Sequence, residues 1–96
     1  MKKQITKKTI ETSLNSLGKT PTAIANSLRK RGIKGLQATV YSCPIAEFIK
    51  QEFAVHKVTV GNYRIVVARF SSLLPGPISR FIQLFDDDKF KFLIAK

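Results

Sequence analysis

The sequence predicts an α+β domain: an amino-terminal helical pair, a third helix, a β-hairpin, a carboxy-terminal helix and room for a short terminal strand. Three observations carry this. Apolar residues recur at three- and four-residue spacing on several segments, two β-branched and aromatic runs meet at Gly61-Asn62, and Pro21, Pro44 and Pro75-Gly76-Pro77 punctuate the chain between them. At 96 residues the chain fits one domain, 1–96, able to bury roughly 65% of its unfolded surface. Residues 1–4 precede the first apolar stripe and are open to disorder.

Ile10, Leu14 and Leu17 mark a helix over about 5–17, closed by Gly18. Thr20 as N-cap and Pro21 at the first position open a second helix, whose stripe is Ile24 and Leu28 and whose stop is Gly32. Leu36 to Tyr41 alternates like a short strand, although an irregular loop reads almost the same. A third helix starts at Pro44 with Ser42 or Cys43 as cap, and Ile45, Phe48, Ile49 and Phe53 form its buried stripe. Val55–Val60 and Tyr63–Phe70 read as hairpin strands. A turn on Gly61-Asn62 pairs Val60 with Tyr63, so Val58, Val60, Ile65 and Val67 share one face and Lys57, Thr59 and Arg64 the other. Ile78, Phe81, Ile82 and Phe85 mark the last helix, ending at Asp86-Asp87-Asp88. The alternation in Lys89-Phe90-Lys91-Phe92 suits a short strand.

Charge is the loudest compositional signal. Seventeen Lys and Arg against six Asp and Glu give +11, and residues 1–34 hold nine of the basic residues with Glu11 as the sole acid. Such an excess destabilises a compact state by self-repulsion, which a polyanionic partner relieves. No apolar stretch exceeds four residues, as at Ile65–Ala68, far short of the roughly 20 residues of a membrane span, and Lys7, Lys8 and Glu11 interrupt any signal-peptide core. A cytoplasmic protein with no membrane association is expected. One cysteine, Cys43, forms no internal disulfide and agrees with a reducing compartment.

Several constellations invite a sharper reading. Helices followed by a hairpin resemble a winged helix-turn-helix, an alternative fold reading. Against it stand about eleven residues before the third helix, where that motif has a turn of about three or four, and Glu47 and Glu52 on the would-be recognition helix. Gly32-Ile33-Lys34-Gly35 has the G-x-x-G form of a KH-domain backbone clamp, but a helix C-cap followed by a turn accounts for it as well. Cys43 at a helix start and His56, the one histidine, form an arithmetical nucleophile–base pair with no third group to orient it. A small buried thiol is the plainer account. Asp86-Asp87-Asp88 lacks the alternate spacing of a calcium loop and reads as a polar helix end. No metal, cofactor or catalytic activity is expected.

From about Pro21 to Phe90, Ile24-Ala25, Leu28, Gly32-Ile33-Lys34-Gly35, Cys43-Pro44-Ile45-Ala46-Glu47-Phe48, Val58-x-Val60, Leu74-Pro75, Phe81-Ile82 and Phe85-Asp86 form a pattern similar to that of a group of short uncharacterised bacterial proteins. The resemblance implies a shared fold and carries no activity or site. The residues themselves lead to a non-catalytic protein that binds DNA or RNA mainly through phosphates, using Lys7, Lys8, Lys19, Arg29, Lys30, Arg31, Lys34, Lys57 and Arg64. The alternative is a small regulator or inhibitor docking on an acidic protein surface.

Overall fold

Thr6 opens the first helix with a reciprocal cap: its Oγ1 accepts the Thr9 N–H at 3.0 Å, and Thr9 Oγ1 accepts the Thr6 N–H at 2.9 Å. The helix, α1, runs Lys7–Asn15 in a computed structural model that describes residues 4–95. The disorder expected for residues 1–4 concerns, at 1–3, positions outside the described residues; the Gln4 carbonyl accepts a bond from Thr9 Oγ1 at 2.6 Å. α2 (Pro21–Lys30) starts as the sequence predicts, with Thr20 Oγ1 accepting from the Ala23 N–H at 3.1 Å and Pro21 inside the first turn. It ends with Gly32 at φ +69°, where Gly32 donates to the Arg29 carbonyl and Ile33 to that of Leu28, each at 3.0 Å. This double closure satisfies two orphan carbonyls and brings buried Ile33 onto buried Leu28.

Residues 31–43 lead to α3 (Pro44–Phe53), followed by β1 (Val58–Val60), β2 (Arg64–Val67), β3 (Phe70–Leu73), α4 (Gly76–Asp86) and a 3-10 turn at Lys91–Leu93. The strands form one antiparallel sheet in the order β1-β2-β3. α1 packs on β3 and α3, α3 on β1, and α2 on α4 and the 3-10 turn. One apolar cluster gathers Ile10, Ile24, Phe48, Ile65, Phe81 and Leu93 with their neighbours. Val58, Val60, Ile65 and Val67 point into it, while Arg64 and Val66 are exposed. The helices therefore cover one face of the sheet and leave the other open.

The hairpin register differs from the expected one by two residues. Val60 pairs with Ile65 and Val58 with Val67, and the Gly61 N–H donates to the Arg64 carbonyl at 2.9 Å. Gly61 is thus a ladder residue, and the turn is Asn62-Tyr63. Pairing Val60 with Tyr63 would have set Val58 against Ile65; the observed register opposes all four core residues to one another and frees Tyr63. A shift of two preserves strand parity, so the face assignment stands.

Two further expectations change, and one pair of alternatives is decided. The run Tyr63–Phe70 breaks at Ala68, left-handed at φ +55°, and folds back as β3, with Phe70 opposite Val67; polar Ser71 and Ser72 hide this strand from a hydrophobicity pattern. Leu36–Tyr41 is a loop whose Val40 carbonyl accepts the Val60 N–H at 2.7 Å. Lys89–Phe92 is no strand: Phe90 stacks on Phe81 at 5.3 Å, and sheet-like pairing passes to a parallel bridge between Gly35 and Ile94. The winged-helix alternative gains no support from α3. α3 buries Pro44, Ile45, Ala46, Phe48, Ile49 and Phe53, and its outward residues Glu47, Lys50, Gln51 and Glu52 include two acids, a poor face for a phosphate-lined groove.

Candidate nucleic-acid interface

Few carboxylates are available to offset the excess of lysine and arginine, and the fold uses most of them internally. Asp86 Oδ1 accepts the Ala38 N–H at 3.0 Å and Asp88 Oδ1 the Gln37 side chain at 2.6 Å, tying the α2–α3 loop to the end of α4. The acidic run is therefore a structural clasp. Glu47 pairs with Lys50 at 3.1 Å and Glu52 accepts from Ser13 at 3.4 Å. Among the described residues Lys50 is the one lysine or arginine in an ion pair. No group of three or more His, Cys, Asp or Glu suited to a metal ion occurs among them.

All nine expected contact residues are exposed, but they stand on separate elements. Lys7 and Lys8 occupy the first turn of α1, and Lys19 the α1–α2 connection. Arg29, Lys30 and Arg31 end α2, and Lys34 follows in the segment that pairs with the carboxy-terminal residues. Two of these arginines also pack: the Arg29 guanidinium lies 5.1 Å from the Phe92 ring centre and that of Arg31 5.3 Å from Phe48. Lys57 leads into β1, and Arg64 on β2 donates to Ser71 Oγ at 2.8 Å. Lys57 and Arg64 share the open face of the sheet with Thr59, Val66, Ser71 and Leu73.

The glycine pair does not form a clamp. Gly32 is the α2 cap, and Gly35 is buried against the start of α3, its N–H donating to Leu93 and its carbonyl accepting from Ala95, each at 2.8 Å. Nor does the Cys43–His56 pair form. The two residues flank opposite ends of the ten-residue α3, roughly 15 Å of helix apart, and burial pushes the Cys43 thiol above its ordinary pKa.

Sequence reasoning missed a groove of about 400 Å³ at the open face, lined by Tyr41, Lys50, His56, Lys57, Val58, Thr59, Val66 and Ala68. Lys57 alone of these stood among the expected contacts. A signal for it lies in the chain: no Asp or Glu occurs between Glu52 and Asp86, while His56, Lys57, Arg64, Arg69 and Arg80 do. The sheet is built entirely from this acid-free stretch.

Comparison of the chain with protein-family models, with curated proteins and with solved structures finds no match. No helix among the described residues is long and apolar enough to cross a membrane. The geometry of the chain's own residues is therefore what supports a function.

Proposed function

We propose that this protein binds nucleic acid without catalysis, chiefly through phosphate contacts. The observation that carries the reading is the disposition of charge: exposed lysines and arginines other than Lys50 stand without carboxylate partners among the described residues, while Asp86, Asp88, Glu47 and Glu52 bond to groups other than those cations. Helix-end electrostatics accounts for part of the basic set, since Arg29 and Lys30 in the last turn of α2 meet the negative end of its dipole. It does not account for Lys7 and Lys8, which face the positive end of α1 with no acid in that turn. Cations placed against a helix dipole, in a chain of net charge +11, are stabilised best by an external polyanion.

Fluorescence anisotropy against single- and double-stranded oligonucleotides at several salt concentrations tests this. Affinity is expected to fall steeply with salt, log K declining by roughly 0.7 to 0.9 per phosphate contact for each unit of log salt. Absence of binding to both forms at low salt discards the proposal. A second reading, an acidic protein partner, rests on exposed Val66 and Leu73 beside Arg64 on the open sheet face, an apolar patch with a basic neighbour. It predicts binding to that partner with oligonucleotides inert.

A further inference from the structure

Resting on the nucleic-acid reading, we infer that the groove beside β1 holds one unstacked nucleotide, which makes single-stranded nucleic acid the preferred ligand. The groove's chemistry matches the parts of a nucleotide. Tyr41, 64% exposed, supplies an aromatic surface for a base; Val66 and Ala68 supply an apolar floor; Thr59 offers a hydroxyl; Lys57 and His56 offer donors for a phosphate. None of the lining residues is acidic, and the carboxylate beside the groove, that of Glu47, is paired with Lys50. Its volume of about 400 Å³ lies at the small end of ligand clefts, roughly 300–1,000 Å³, room for one residue of a strand.

The backbone that carries the Tyr41 ring is held in place. Lys50 Nζ donates to the Tyr41 carbonyl at 2.7 Å while paired with Glu47, the Tyr41 N–H donates to Thr39 Oγ1 at 3.3 Å, and the preceding carbonyl, that of Val40, accepts from β1. Lys50 is thereby committed to holding the loop, and Lys57 is left as the groove lysine without an ion pair among the described residues. A fixed backbone beneath an exposed ring lowers the ordering cost of a stacking contact. A duplex keeps its base faces inside the stack, where Tyr41 cannot reach them; a single strand presents them.

The test compares a labelled single-stranded oligonucleotide, as DNA and as RNA, with a duplex of the same length. Tyr41→Ala is expected to weaken single-strand binding at least about five-fold without changing its salt slope, because a stacking contact and no charge is lost. Duplex binding should be unchanged, and Tyr41→Phe should restore single-strand affinity. Lys57→Gln should lower the single-strand salt slope by about 0.7. Thermal melting verifies the fold of each variant. Single-strand affinity indifferent to Tyr41→Ala, or an equal loss on duplex, overturns the inference and leaves the nucleic-acid reading standing. Failure of wild-type protein to bind either form at low salt overturns both.

Discussion

Cys43 shows how a residue that invites a chemical reading is settled by its surroundings. At 2% exposure its thiol is pushed up first by loss of solvent; N–H groups of Ala46 and Ile45 at the start of α3 pull it down, and the carboxylates of Asp86 and Glu47 push it up. The helix N-terminus, which alone would favour a thiolate, loses to burial. The consequence is measurable. An unfolded thiol ionises near about 8.5, while the folded one keeps its proton to higher pH, so the unfolded state sheds protons first and stability falls as pH rises. Relative to Cys43→Ala, denaturant titrations of wild-type protein should show stability level below about pH 8 and declining above it, by at most about 1.4 kcal/mol per pH unit. A difference that grows in the opposite direction would mean that the thiolate is stabilised in the fold. Sequence could place Cys43 at a helix start, but it could not weigh dipole against desolvation, because Asp86 reaches it from a segment more than forty residues away.

At the scale of elements, the most constrained junction is where residue 35 meets the beginning of α3. A Cβ on Gly35 would lie 2.4 Å from Pro44 N, 2.5 Å from Cys43 C and 2.6 Å from Ser42 O. All three are backbone atoms, which cannot rotate away. The same glycine bridges the carboxy-terminal segment to the helices through Leu93 and Ala95. Gly35→Ala should therefore cost about 3 kcal/mol or more, read as a lowered urea midpoint, whereas Gly61→Ala, whose nearest contact is 3.7 Å, should change stability by less than about 1 kcal/mol. Equal effects would show that the approach at Gly35 relaxes freely. These two glycines also mark what was legible. The helices were readable because caps and stripes are local: Thr20-Pro21, Gly32 and the stripe of α3 specify their elements within a few residues. The G-x-x-G spacing was equally visible, but its meaning depends on backbone contacts with Ser42–Pro44 and Leu93, which no local pattern encodes. β3 escaped because Ser71 and Ser72 offer no periodicity, their place being fixed by pairing with β2. The groove escaped for the same reason, Tyr41 reaching it from a loop and Lys50 from a helix.

For the molecule as a whole, the open question is how widely the basic residues act together. The longest dimension is 32 Å, so a strand crossing it would present on the order of ten phosphates, since successive phosphates of a stacked strand are about 3.4 Å apart. Whether one strand reaches both the end of α2 and the open sheet face is what paired charge variants read. Replacing Arg29 and Arg31 would confound the test, because their guanidinium groups pack on Phe92 and Phe48 and their loss costs stability as well as charge. Lys30 and Lys34 make no such ring contact and are exposed, so Lys30→Gln with Lys34→Gln removes two charges while leaving the fold intact. Lys57→Gln with Arg64→Gln removes two from the sheet at the cost of one exposed bond to Ser71. If one strand spans both regions, each double variant should lower the single-strand salt slope by up to about 1.4, and the quadruple variant by the sum, because distant sites with no shared partner add. If binding is confined to the groove, the sheet variant should carry the loss and the α2 variant should match wild type. Unchanged slopes in all three would place the contact surface elsewhere, with Lys7, Lys8 and Lys19 the next residues to test, beginning with Lys7→Gln and Lys8→Gln in the first turn of α1.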